Sequence, residues 1–379
     1  MPADNPIYLD HNATTPLLPE VVDAMLPYLR EHFGNPSSGH VFGQRTRDAI
    51  ERARNQVAAL LGCDADQIIF TSGGTEANNL AIRGAMAKCV RRHVVTSVIE
   101  HPATARPVDW LERHGCTVTR VPVDADGRTR VDDLAAAATE GVALVTLMHS
   151  NNETGVLQPI QEAARWAHHV GALMHTDAAQ SVGKVPINVR NLDVDLLSAA
   201  GHKLYAPKGI GALYVRDRLM LEPLVLGAGH ERGIRPGTEN VASIVGFGTA
   251  CVAALRDLSR ESTRVYELRE RLWAQLANAI PHIAMNGHSK DRLPNTLSVR
   301  LPGVSGSSLL DATPEVAAAT GSACHAGNET PSAVLLAMGV PAADAIGSIR
   351  LSLGRTNTAE QVDQAAAALI QGWRVLRRS

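Results

Sequence analysis

The chain has 379 residues, of which 45% are hydrophobic and 20% charged, with a formal net charge of −2. This length and balance suit a globular protein with a large core, in two domains. The near-neutral charge excludes a field that would recruit nucleic acid or an acidic membrane surface.

The opening "MPADNPIYLD" carries neither a basic nor an apolar run. No segment approaches the roughly 20 apolar residues of a membrane-spanning helix, so no membrane is expected and the cytoplasm is the expected compartment. Five cysteines stand at Cys63, Cys89, Cys116, Cys251 and Cys324, with no C-x-x-C pair. An odd count without paired spacing points away from a disulfide framework and from structural zinc, and no metal is expected.

From about residue 60 to 216, β-branched runs alternate with helical patterns. The runs at 67–70, 93–99, 117–123, 143–150, 172–179, 194–201 and 211–216 read as strands. "TEANNLAIRGAMAKC" and "IQEAARWAHHVG" between them carry helical periodicity, the second ending at a capping Gly171. The pattern predicts an α/β fold with a mainly parallel sheet, whose ligands sit beyond the carboxyl ends of the strands. Beyond residue 255, "RESTRVYELRERLWAQLANAI" reads as a helix, and "LPNTLSVRLPG" and "SIRLSLGR" as strands. A final amphipathic helix completes a smaller α+β domain.

The chemistry-bearing residues fall at strand ends. In "FTSGGTEANN", Gly73, Gly74 and Thr75 suit a phosphate at a helix start, although a turn with a capping threonine fits as well. His101 follows a strand and could stack on a flat ring or cap a helix. In "HTDAAQ", Asp177 could pair with a heterocyclic nitrogen or cap a helix, with Gln180 three residues on.

"GHK" brings His202 and Lys203 to the end of an apolar run. The chain holds only five lysines against 31 arginines, and an amine can form an imine where a guanidinium cannot. A snorkelling lysine is the alternative. Together, a phosphate cradle, a ring-nitrogen carboxylate and an imine-forming lysine on successive strand ends describe a pyridoxal phosphate site.

Cys324 lies among small residues in "ATGSACHAG", as a surface cysteine or a nucleophilic thiol. Arg350, on an apolar strand, suits a substrate carboxylate or an internal ion pair. Thr238, in the polar loop "GHERGIRPGTENV", could reach a phosphate in a partner subunit. His168 and His169 read as solvated or capping residues.

In order along nearly the whole chain stand "YLDHNATTPL", "FGNPSS", "FTSGGTEANN", "NNETG", "HTDAAQSVGK", "GHKLYAPKGIGALY", "RPGTEN", "RLPNT", "GSACHAG" and "RLSLGR". With these motifs the sequence resembles the cysteine desulfurase family of class V aminotransferase-like enzymes, which includes selenocysteine lyases. The resemblance implies the aspartate-aminotransferase type of pyridoxal phosphate fold (fold type I) and a homodimer. It implies a large cofactor-binding domain over 14–255, and a small domain made of 1–13 and 256–379 that carries the Cys324 loop.

By resemblance, Lys203 carries the cofactor as an imine, Asp177 pairs with the pyridine nitrogen and His101 stacks on the ring. Gln180 and Asn152 contact its hydroxyl side. Gly74, Thr75 and His202 bind its phosphate, with Thr238 from the other subunit. Arg350 and Asn152 would hold the substrate carboxylate, and Cys324 would take sulfur from L-cysteine as a persulfide. An iron–sulfur scaffold or a sulfur carrier would then accept it.

The alternatives are a selenocysteine lyase acting on L-selenocysteine and a non-catalytic iron–sulfur assembly scaffold, which would need none of Lys203, Asp177 and Cys324. One position departs from the family. Serine usually stands two residues before the matching histidine, and here it is Ala200. The phosphate cradle then lacks one hydrogen bond, about 1 kcal/mol.

Overall fold

The computed structural model describes residues 5–136, 141–320 and 330–378. A two-residue strand, β1 (Ile7–Tyr8), precedes seven strands that form one sheet. These are β2 (Ile68–Thr71), β3 (His93–Ser97), β4 (Thr117–Val121), β5 (Val142–Met148), β6 (Leu173–Asp177), β7 (Leu196–Ala200) and β8 (Gly211–Val215). Their order is β2-β8-β7-β6-β5-β3-β4.

Strands β3 to β7 pair in parallel, and every residue of β5 and β7 is buried. Continuous apolar runs are what a sheet covered on both faces requires, and each fully buried leucine or valine adds about 1.5–3 kcal/mol. β8 runs antiparallel to both β7 and β2. The connection over 201–210 is too short for the crossover a parallel pair needs, so the chain turns straight back.

This reversal fixes the position of the site. Thr71 and Ala200 both pair with Gly211, so β2 and β7 end at one edge of the sheet. The parallel neighbours β6 and β5 bring Asp177 and Met148 to the same edge. The observed strands stop a few residues short of several sequence-predicted ends, because residues such as 98–99 and 178–180 leave the sheet to form loops at this edge.

Further along are β9 (Ala284–Met285), β10 (Thr296–Arg300), β11 (Val316–Ala317), β12 (Ala319–Thr320) and β13 (Ser348–Ser352). β1 pairs with β11, and the other four form an antiparallel sheet in the order β12-β13-β10-β9. Leu9 is buried in the apolar cluster of this second sheet with Leu297, Leu351 and Leu369, and Asp10 bridges to Ser352. The amino-terminal segment therefore passes from the second sheet to the edge of the first.

The helix Val241–Ala279 runs past both sheets. The sequence reading starts this helix near residue 260; it begins at 241, where Asn240 accepts from the Ser243 amide. Two glycines obscure its first half, and packing explains both. A Cβ on Gly246 would lie 2.7 Å from Met25 Sδ, and one on Gly248 would lie 2.7 Å from Ala53 Cα, so glycine lets the helices touch. One window of this helix is long and apolar enough to cross a bilayer by length and composition, yet 61% of it is buried inside the protein.

Candidate active site

Lys203 sits in a 3-10 turn, Gly201–Lys203, directly after β7. Its Nζ donates to the backbone carbonyls of Asn12 and Ala13, the latter at 2.7 Å. Desolvation pulls the amine down to about 8, helped by the charge of Arg350 and opposed by Asp10 and Asp177. Near neutral pH a fraction of this amine is therefore free base, which is what imine chemistry and proton abstraction require.

Lys203 faces a cavity of about 160 Å³. Seven further sequence-predicted residues line it: Gly74, Thr75, His101, Asn152, Asp177, Gln180 and His202. Asp177, at the end of β6, accepts from the Ala179 amide at 2.9 Å and from Asn78 Nδ2 at 2.6 Å. It is thus both a local cap and a carboxyl group held at the pocket. Asn78 is fully buried, and its Oδ1 has no hydrogen-bond partner among the described residues.

At the end of β2 the chain turns through Gly73, at φ +149°, into the helix Gly74–Asn79. A Cβ on Gly74 would approach Ala200 Cβ to 3.2 Å, so glycine keeps this cradle open. His101 caps the helix Pro102–Arg113, its Nδ1 accepting from the Ala103 amide at 3.1 Å. Desolvation lowers its pKa, and with Nδ1 accepting, the neutral ring carries its proton on Nε2. His202 is lowered to about 4, by desolvation first and then by Lys203, Lys208 and Lys184. It too is neutral near pH 7.

Two expected residues stand apart. Thr238 is exposed and lines a different, open groove of about 980 Å³ beside Arg54 and His230. Its loop is anchored to the pocket's edge by Arg235, whose Nε donates to Glu76 at 2.9 Å. Arg350 does not line the cavity. Its Nη2 donates to Asp10 Oδ1 at 2.6 Å and its Nη1 to the Asn152 carbonyl at 3.0 Å. Cys324 lies outside the described residues.

His168, in the last turn of the helix Ile160–His169, stays partly exposed and meets Asp193 and Asp195 at 3.2 and 2.9 Å.

Four polar residues escape sequence reasoning: Asn12 and Asn78, which are buried, and Lys184 and Glu100, which are partly buried. Asn12 is 1% exposed and tied to both sheets, and its carbonyl receives both Lys203 and Gln180. Glu100 accepts from Ser97 Oγ at 2.5 Å and from the Met148 amide at 3.0 Å, and burial raises it to about 8. The signal was present in the runs "DHNATT" and "QSVGK", but nothing local says which of their polar residues turn inward.

An amine of lowered pKa, a fixed carboxyl group, two neutral imidazoles and a glycine cradle beyond the strand ends define a site of the pyridoxal phosphate class. Comparison with known proteins agrees. The family model described as aminotransferase class-V matches residues 7–365, and the chain belongs to that family.

A protein named cysteine desulfurase from Trichormus azollae is 46% identical over 361 residues, covering 94% of this chain and 90% of its own. Cysteine desulfurase NifS from Azotobacter vinelandii is 45% identical over 362 residues, with the same coverage. A solved NifS-like protein superposes with a TM-score of 0.91 at 34% identity, covering 99% of this chain and all of its own. The family depends on pyridoxal phosphate. The residues present fit that group: a free-base-capable amine, room at Gly74 that a Cβ would take, and Asn78 Oδ1 beside Asp177, without a partner among the described residues.

Proposed function

We propose that this protein is a cysteine desulfurase that converts L-cysteine to L-alanine and transfers the sulfur to Cys324. The observation that carries the reading is the Lys203 amine, drawn down to about 8 in the same pocket as Asp177, His101 and the Gly74–Thr75 turn.

When bound, pyridoxal phosphate supplies a sink for the electron pair left at the substrate α-carbon. Lys203 would hold its aldehyde carbon, and Asp177 would keep the proton on its ring nitrogen. His101 would stack on its face, and Gln180 and Asn152 would meet its hydroxyl side. Gly74, Thr75 and His202 would take the phosphate, joined by Thr238 of the partner subunit.

Arg350, with Asn152, would orient the substrate carboxylate. Its Nε is buried without a partner among the described residues, which supports a further acceptor there. Lys203 Nζ then takes the α-proton. The Cys324 thiolate attacks the substrate sulfur, forming an S–S bond as the Cβ–Sγ bond breaks. Protons return to the three-carbon fragment, which leaves as alanine, while Cys324 keeps a persulfide. Substrate sulfur is oxidised and substrate carbon reduced, so no outside oxidant is needed. Of the other cysteines, burial pushes Cys63 up to about 12 and Cys251 upward too, so neither is a thiolate near neutrality.

The persulfide would pass to an iron–sulfur scaffold or a sulfur carrier in the cytoplasm. A homodimer is supported by exposed apolar side chains, Phe33 at 80% and Leu226 at 83% among them. The division into 14–255 and 1–13 with 256–379 is proposed with the helix Val241–Ala279 as the shared element. L-Selenocysteine would meet the same contacts, and its turnover beside that of L-cysteine tells the two substrates apart. The deciding assay measures alanine and sulfide from L-cysteine with a reducing thiol. The parent should make both, Lys203→Ala neither, and a parental rate from Lys203→Ala would refute the reading.

A further inference from the structure

Gln180 and Lys203 both donate to one atom, the backbone carbonyl oxygen of Asn12. Behind them lies a second buried amine. Lys184 Nζ donates to Gln180 Oε1 at 3.1 Å and to Asn12 Oδ1 at 3.2 Å. Asn295 Nδ2 shares the Asn12 Oδ1 acceptor at 3.0 Å.

Both acceptors of Lys184 are uncharged amide oxygens. Burial holds its pKa well below the usual lysine value, and the charges of Lys203 and Arg350 push the same way. His11, Glu261 and Arg355 line the small cavity on its far side, and His11 is itself lowered to about 4 by burial. Two of its N–H bonds are taken by these two acceptors.

The consequence falls on Gln180, which lines the pocket. A side-chain amide fits either way round, presenting N–H or C=O. With its oxygen taken by Lys184 and one N–H on Asn12, its second N–H is left for the pocket.

We propose that Lys184 is a positioning residue: by donating to Gln180 Oε1 and Asn12 Oδ1, it fixes the Gln180 amide with its N–H edge toward the pocket and toward the carbonyl that anchors Lys203. This rests on the reading that Lys203 and Gln180 hold pyridoxal phosphate. Without Lys184 only the bond from Gln180 Nε2 to the Asn12 carbonyl orders the amide, and when that bond breaks Oε1 turns toward the Lys203 amine. An acceptor there favours the ammonium form and raises the pKa of Lys203.

The test uses Lys184→Met, which keeps the length and removes both donors. Full-length protein without cofactor is acylated with acetic anhydride across a pH series, and the Lys203 peptide is quantified by mass spectrometry. Labelling at pH 8 should fall about two- to fivefold, the change expected for a rise of roughly half to one pKa unit. In the loaded enzyme the pH profile of cofactor absorbance should shift with it. In a Gln180→Met background, Lys184→Met should add nothing.

A folded Lys184→Met protein with parental labelling and absorbance profiles would overturn the proposal, as would an equal further loss in the Gln180→Met background. If Lys184→Met does not fold, Lys184→Gln is read by the same two profiles. Failure of the parent to take up pyridoxal phosphate would instead refute the proposed function, and the labelling series would still report on Lys184.

Discussion

Asp10 and Arg350 form an ion pair at 2.6 Å that ties the amino-terminal segment to β13. The same guanidinium reaches the Asn152 carbonyl at 3.0 Å, so Arg350 links the second sheet to the pocket. Its planar fork makes both contacts at once, which a lysine ammonium on a flexible stem does not reproduce.

Arg350→Lys should therefore raise KM for L-cysteine about 10- to 100-fold, the equivalent of about 1.5–3 kcal/mol for a charge-assisted bond, with a smaller change in kcat. Steady-state kinetics checks this. An unchanged KM would mean that Arg350 serves only Asp10 and the Asn152 carbonyl.

Cys324→Ala should still bind L-cysteine, seen as a change in cofactor absorbance, but should lose alanine formation by at least ~10²-fold. Mass spectrometry of the parent after brief exposure to L-cysteine should find one extra sulfur on the Cys324 peptide. Extra sulfur on Cys63 or Cys251 would contradict the assignment.

Ala200→Ser should tighten the cofactor. Ala200 Cβ stands against the Gly74 turn, and a hydroxyl there adds one donor toward a phosphate, about 1 kcal/mol or roughly fivefold in Kd. Fluorescence titration of the apoprotein with pyridoxal phosphate measures it. Equal or weaker binding would place the phosphate elsewhere.

Glu100 predicts a pH dependence of stability. Burial raises its folded pKa to about 8 from the ordinary 4.5 of an exposed glutamate. The native state therefore holds a proton that the unfolded chain has lost between those two values, so this contribution is fully present below pH 4.5 and is lost as pH rises through 8. The slope is at most about 1.4 kcal/mol per pH unit. Glu100→Gln keeps an acceptor for the Met148 amide and removes the titration. Urea unfolding from pH 5 to 8 should show the slope in the parent and a flatter profile in the variant; parallel profiles would contradict it.

Much of this was legible in the sequence for a physical reason. Strands such as "VALVTLM" are buried on both faces, so their apolar runs are continuous, and Gly74, Asp177 and Lys203 stand at or just beyond the ends of such runs. The helix start at Val241 was not legible, because Gly246 and Gly248 read as breakers until the neighbours Met25 and Ala53 are known. Nor could Asp10 be matched to Arg350, or Lys184 to Asn12. The first pair joins residues 340 positions apart, and no local pattern encodes such a contact.

The central claim is that the Lys203 amine carries pyridoxal phosphate. Borohydride reduction of the loaded enzyme followed by peptide mass mapping tests it most directly. The account predicts one stable pyridoxyl group on Lys203, absent from Lys203→Ala. Its absence from the parent, or its presence on Lys184 or Lys208 instead, would contradict the account.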